Sequence, residues 1–340
     1  MRLFMVLLAL GAAAEAATLT VGTASASAGQ RATGVLQVPA GVDAAASIPV
    51  IVINGAKPGP VLALVAGAHG TEYASIVALE KIAQQANPPE MSGSLIVLPL
   101  LNQASFAQKV PHLNPVDGKN MNRFYPGKAD GTQTERISWA VSQQVLAKAD
   151  YLIDYHGGDL DENMRSYAYW AQTGKAELDA TSRAMVLAFG LDHIILQDFR
   201  TPGASVTITR YGAAMLGKPS LAVEAGHAGT VLAEDVDALV NGTWSVMRHL
   251  KMLPGEPHPV AHPLWFAKYS SVTSEADGIF YPVAKPEAYV TKGMTIGYVT
   301  DYFGKRIWDA VAPSSGVILY IGAVPSMKKG DTVANIGEVQ

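Results

Sequence analysis

No cysteine occurs among the 340 residues, so disulfides, thiolate metal sites and cysteine nucleophiles are all excluded. Any metal must then be held by His, Asp or Glu, a donor set that points towards zinc. Charge of one sign is lacking as well: 25 basic residues face 29 acidic ones, for a net charge of −4. That balance supplies no electrostatic footprint for nucleic acid or acidic membranes, which makes a small molecule or short peptide the expected partner. Long apolar runs are missing too, and none reaches the ~18 residues that a membrane-spanning helix needs. What is present is globular in character, with 49% apolar and 16% charged residues. The length allows one large domain plus a smaller one.

The first residues carry an address. Arg2 is a short positive region, Leu3 to Ala13 an apolar one, and Ala14-Glu15-Ala16 a small-x-small cleavage site. Residues 1–16 are therefore expected to be a signal peptide, and the mature protein to be periplasmic or secreted, with no membrane anchor after cleavage. A chain of this size has core enough to do without disulfides outside the cell.

Residues 17–49, rich in Ala, Ser, Gly and Thr, read as edge strands with turns at Gly29 and Gly41. Val50 to Ile53 is a compact strand ended by Asn54-Gly55. Val61 to Ala66 reads as a buried strand, followed by the turn Gly67-Ala68-His69-Gly70-Thr71-Glu72 and a helix whose apolar positions are Ile76, Leu79 and Ile82. Further strands are expected at 93–99, 151–155, 194–196 and 220–224, with helices near 132–149 and 177–189. Residues 102–131 lack periodicity and form a loop-rich excursion, a feature that is usually functional or disordered. Alternation of buried strand and amphipathic helix predicts an α/β fold, with a mostly parallel or mixed sheet flanked by helices. The predicted hydrolase domain spans 17–253 and a Pro-rich linker 254–263. Residues 264–340, with strand-like runs and Gly turns every eight to twelve residues, read as a small all-β domain.

Three strand ends carry the chemistry. His69 and Glu72 follow the first buried strand, His156 ends the 151–155 strand, and Glu224 ends the last. In open α/β sheets, ligands bind just outside the carboxyl ends of the strands. Two His and one Glu form a catalytic zinc set that keeps a fourth position open, and a second Glu supplies the general base that hydrolysis needs. Taken singly, each residue has a plainer reading: a structural histidine, or a glutamate favouring a helix N-terminus. Their shared position on one sheet rim outweighs it. Asp154, two residues before His156 on the same strand face, could orient that ring through its other nitrogen. His227 reads equally as a rim histidine or a supporting one.

Four ordered motifs carry a resemblance: Gly67-Ala68-His69-Gly70-Thr71-Glu72, Asn120-Met121-Asn122-Arg123-Phe124-Tyr125-Pro126-Gly127, Asp154-Tyr155-His156-Gly157-Gly158 and Val223-Glu224-Ala225-Gly226. Together they resemble the succinylglutamate desuccinylase/aspartoacylase family, relatives of zinc carboxypeptidases, over nearly all of the mature chain. The resemblance implies one zinc per chain held by His69, Glu72 and His156, with Glu224 activating the zinc-bound water. It also implies that Asn122 and Arg123 bind the substrate carboxylate, which suits the planar fork of a guanidinium. The chain departs from the family at an upstream arginine that helps polarise the scissile carbonyl, where it has Lys109-Val110-Pro111-His112. Lys109 or His112 could substitute though neither offers a guanidinium fork, zinc alone could polarise the carbonyl, or the charge could come from Arg165, Arg200 or Arg210. The C-terminal region is similar to a lipoyl-type hammerhead but lacks a hairpin with a modifiable lysine, which points to an active-site wall or a contact within a homo-oligomer. The expected function is an exported zinc amidohydrolase that removes an N-acyl group from an amino-acid-like substrate. A metallocarboxypeptidase acting on peptides, wall-derived ones included, uses the same site; a non-catalytic metal- or ligand-binding protein is the reading from another class.

Overall fold

A computed structural model describes residues 17–200 and 208–338; the expected signal peptide lies outside them. The strands of the large sheet are β1 (Gln30–Val38), β2 (Ala46–Asn54), β3 (Lys57–Val65), β4 (Ser92–Leu98), β5 (Tyr151–His156), β6 (Tyr167–Gln172), β7 (His193–Asp198), β8 (Ser220–Glu224) and β9 (Leu264–Phe266). Their spatial order is β9-β7-β6-β8-β5-β3-β4-β2-β1. The centre, β8-β5-β3-β4, is parallel, while β2, β1 and the β6–β8 pair run antiparallel. The sheet is thus mixed, with a parallel middle.

Period-two alternation explains why the central strands read as unbroken apolar runs. Leu62, Leu64, Leu95, Val97, Ile153 and Tyr155 enter a core on one face of the sheet. Ala63, Val65, Ile96, Leu98 and Leu152 enter a second core on the other. Both faces are covered, so no polar alternation is required. Helices α1 (Tyr73–Gln85), α4 (Ala176–Phe189) and α6 (Ala233–His249) cover the first face. The second is covered by α3 (Gln133–Val141), which runs on into a π-turn at Ser142–Leu146, by α5 (Thr209–Met215), and by a small hairpin of Leu19–Val21 with Ala24–Ala26. The α3 start is a capping box: the Thr132 hydroxyl and backbone N–H both meet Glu135 Oε2, at 3.1 and 3.0 Å. The loop-rich excursion holds only α2 (Gln103–Gln108) and a 3-10 turn at Met121–Arg123.

After residue 263, Leu264–Phe266 pairs with β7 and extends the large sheet. From Tyr269 onward, two small sheets enclose a separate core that includes Phe280, Val299, Ile318 and Ile336. These layers are joined to the first by strand pairing: Glu162–Met164, just after β5, lies antiparallel to Gly316–Gly322. Arg165 adds ion pairs to Asp192 and Glu287, at 2.8 and 2.9 Å. No described helix is long and apolar enough to cross a membrane.

Candidate metal centre and active site

The parallel middle of the sheet brings the expected residues together. β3 ends at Val65, and the chain turns sharply into α1 through Gly67, whose φ of +67° is left-handed. A Cβ at Gly70 would stand 2.3 Å from the Phe106 nitrogen, so only glycine lets this turn lie against the excursion. The turn presents His69 and places Glu72 as N-cap of α1. β5 is the next strand over, and its last residue is His156.

His69 Nδ1 lies 2.6 Å from Glu72 Oε1, and His156 Nδ1 lies 3.0 Å from Glu72 Oε2. Ligand atoms of all three residues fall within 4.8 Å of one another, and all three residues are buried. Two nitrogens and a carboxylate, converging in a cysteine-free chain, fit a divalent metal such as zinc. Burial by itself would raise the Glu72 carboxyl; the two imidazoles beside it outweigh that and bring it down to about 2. For His156, burial works against the charged ring, but Glu72 and then Asp154 lift it well above the ordinary histidine value.

Since both Nδ1 atoms face Glu72, both Nε2 atoms point away. His69 Nε2 meets Asn120 Oδ1 at 3.1 Å. His156 Nε2 lies 3.1 Å from the Asn122 amide nitrogen and 3.4 Å from Asp154 Oδ2. The Thr209 backbone N–H donates to Asn122 Oδ1 at 3.0 Å and so sets the orientation of that amide. Asp154 is fully buried, and neither of its oxygens has a hydrogen-bond partner among the described residues; its 3.4 Å approach to His156 is electrostatic.

The triad opens into a cavity of about 510 Å³ lined also by Asn122, Arg123, Arg210 and Glu224. Glu224, paired in register with His156 across β8 and β5, is raised well above the ordinary carboxyl value, chiefly by burial. Of the three other arginines considered from the sequence, Arg210 alone lines this cavity. It stacks over Tyr169 at 4.4 Å and donates to Gln197 Oε1 through Nε at 2.9 Å. Arg200 pairs with Asp198, and Arg165 is spent on the ion pairs described above. Lys109 is an exposed helix cap away from the cavity. His112 does line it, edge-on to His69 at 5.9 Å, but its Nε2 meets Asp161 at 2.9 Å and its Nδ1 lies 3.4 Å from Asp159. Burial opposes its charge, and these acids together with Glu162 lift it to about 9. His227 does not line the cavity: Nδ1 meets Asn163 at 3.0 Å and Nε2 lies 3.6 Å from Asp235.

Several site residues were not picked out from the sequence. Asp159, fully buried, accepts from the Thr71 hydroxyl, from His112 N–H at 2.9 Å and from Leu160 N–H at 2.7 Å, and so ties the His69–Glu72 turn to the excursion. The acidic run Asp159-Leu160-Asp161-Glu162, directly after a glycine pair at a strand end, was the available signal. Tyr167 and Tyr169 on β6, and Tyr269, Tyr320 and Asn335 from the C-terminal layers, also form the wall. Nothing local marks these, because their role depends on how the two sheets meet.

Residues 58–250 match the family described as the succinylglutamate desuccinylase/aspartoacylase catalytic domain. The N-alpha-acetyl-L-2,4-diaminobutyric acid deacetylase of Halomonas elongata is 27% identical over 90% of this chain and 91% of its own length. A succinylglutamate desuccinylase structure from Silicibacter sp. TM1040 superposes with a TM-score of 0.82 at 25% identity, covering 91% of this chain and 95% of that one. The product-bound ectoine utilization protein EutE (DoeB) of Ruegeria pomeroyi gives a TM-score of 0.82 at 26% identity, covering 90% and 95%. With its ordered motifs, its mixed sheet and its buried His-Glu-His triad on one strand rim, the chain belongs to the succinylglutamate desuccinylase/aspartoacylase family.

Proposed function

We propose that the protein is a zinc-dependent amide hydrolase that removes an acyl group from the nitrogen of an amino-acid-like substrate. The observation that carries this reading is one cavity holding the buried His69–Glu72–His156 triad, Glu224 and two guanidinium groups. Zinc held by the triad would supply Lewis-acid polarisation and an acidified water at neutral pH. Glu224 stands on the same rim with no hydrogen-bond partner among the described residues; it takes a proton from the attacking water and returns it to the departing nitrogen. Burial raises its pKa, which favours the protonated form that delivers a proton to the departing nitrogen. Arg123 receives the carboxylate of the amino-acid half, with Asn122 beside it. Arg210 supplies the guanidinium charge that the excursion lacks where the family has its upstream arginine.

The cavity volume is in the range of small-molecule sites, and the C-terminal layers form part of its wall, so a small substrate is favoured over a long peptide. The Halomonas elongata relative is named for deacetylating an N-acetylated amino acid, in keeping with this class. The leader-like residues 1–16 support action outside the cytoplasm.

The test is a hydrolysis screen of purified mature protein across N-acylamino acids and short peptides, with and without chelator. Free acid should be released from the former, chelation should abolish it, and Glu224→Gln should keep its zinc while losing about 10²- to 10⁴-fold in turnover. An unchanged rate in that variant refutes the assignment of Glu224; preference for peptides transfers the protein to the carboxypeptidases.

A further inference from the structure

The active-site cavity is electrically two-ended. Arg123 and Arg210 act on one another and line one end; Glu224 also acts on Arg210 there, and Asp198 is paired with Arg200 at 2.8 Å. The other end is acidic. There Glu162 opens the short strand that pairs with Gly316–Gly322, and it faces both the metal-triad cavity and an adjoining hollow lined by Asp161, Asp331, Tyr320 and Asn335. The single basic side chain lining this end, His112, is held by Asp161 at 2.9 Å. Asp331 is exposed and accepts a backbone N–H from Lys328 at 2.8 Å. Glu162 is different: its Oε2 accepts the Asp159 backbone N–H at 3.2 Å, and among the described residues it has no ion pair.

We propose that Glu162 is a specificity-determining residue that receives a primary ammonium group of the substrate, so that the substrate carries a free amine as well as a free carboxylate. This rests on the amide-hydrolase reading above and narrows its substrate class to zwitterionic acylamino compounds. A carboxylate at the Arg123 end and an ammonium at the Glu162 end match both poles of the cavity; a dicarboxylate would set one of its acids against Glu162. Burial, opposed by His112 and reinforced by Glu72, pushes the Glu162 carboxyl up to about 7, as expected for an acid still lacking a cation, and a bound ammonium would hold it ionised. The amine can belong to either half of the substrate: a side chain of the amino acid released, or the α-amino group of an aminoacyl group.

The test compares the zinc-loaded parent with Glu162→Gln, which keeps the size of the side chain and an oxygen to accept from Asp159. Three compounds of similar size serve: Nα-acetyl-L-2,4-diaminobutyrate, with its amine on the released half; glycyl-L-2-aminobutyrate, with its amine on the acyl half; and N-acetyl-L-2-aminobutyrate, with none. One ammonium-bearing compound should exceed the neutral one in kcat/KM by about 10-fold or more in the parent, in line with a charged hydrogen bond. Glu162→Gln should bring that ratio to within about twofold, chiefly through KM. Which compound wins assigns the amine to its half. A parent that favours the neutral compound, or a variant with an unaltered ratio, overturns the proposal. If no compound is hydrolysed, the amide-hydrolase reading fails, and calorimetric binding of L-2,4-diaminobutyrate against L-2-aminobutyrate still decides the role of Glu162. Loss of the diamino acid's advantage in the variant supports it; equal binding of the two by the parent overturns it.

Discussion

Replacing Asp154 by asparagine should weaken metal binding and also destabilise the metal-free fold, two effects of one buried carboxylate beside His156. Asp154 Oδ2 lies 3.4 Å from His156 Nε2, the ring nitrogen turned away from Glu72. Two unit charges at that spacing interact by about 5 kcal/mol at an effective dielectric near 20. An imidazole N–H carries only a fraction of a charge, so roughly 1.5 to 3 kcal/mol reaches the metal, or about 10- to 100-fold in affinity, the usual scale for a carboxylate behind a metal-bound histidine. In the metal-free protein the same carboxylate faces a His156 ring that Glu72 and Asp154 hold charged, so removing it breaks a buried ion pair. The Asp154→Asn change removes that charge at constant shape. Competition against a chromophoric chelator should show the loss in zinc affinity, and calorimetry of chelator-treated protein should show a Tm that falls by about 2 °C per kcal/mol lost. Zinc affinity within twofold of the parent, or an unchanged or raised Tm of the chelated variant, refutes the reasoning.

Two further outcomes follow from the groups that brace the site. Thr71→Val removes the buried hydroxyl that donates to Asp159, whose Oδ1 then keeps only the Leu160 N–H, and the loss of this hydrogen bond to a carboxylate should cost about 1.5 to 3 kcal/mol in urea unfolding; an unchanged midpoint would show that the bond contributes nothing. Glu135 receives the Lys119 ammonium at 2.9 Å and the Thr132 backbone N–H, and these hold its carboxyl at about 2 against an ordinary 4.5. Its stabilisation is therefore complete above pH 4.5 and lost as pH falls towards 2. Glu135→Gln should cost about 1 kcal/mol at neutral pH, with a difference from the parent that closes across that acid window; a constant difference would mean the charge plays no part.

Much of the fold was legible because the central strands are covered on both faces. Such strands give unbroken apolar runs, and those at Val61, Leu95, Leu152 and Leu221 were readable without any partner in view. Strand β6 was not, since Tyr167, Tyr169 and Trp170 mix core and cavity roles in a run without clean alternation. Helices α2 and α5 are too short for a periodic signal, and α6, though long, follows the last motif and passed unnoticed. Leu264–Phe266 reads as part of the β-rich C-terminal region because three residues cannot declare which sheet they join; the parallel pairing with β7 decides it.

By itself, the sequence determined the covalent chemistry available: no thiols, two histidines and two glutamates at strand ends, and an Asn-Arg pair in a long loop. Those residues are local in their signal, because a strand end before a glycine turn is marked within a few positions. Only tertiary structure decided their distances, since Glu72 meets His156 across 84 positions of chain through the pairing of β3 with β5. It also decided the electrostatics. Arg210 faces the cavity while Arg165 and Arg200 do not, and Glu162 is brought beside the metal triad by a strand pairing with residues 316–322. Charge in a cavity depends on what is left unpaired after folding, and no stretch of sequence records which partners a side chain will have used.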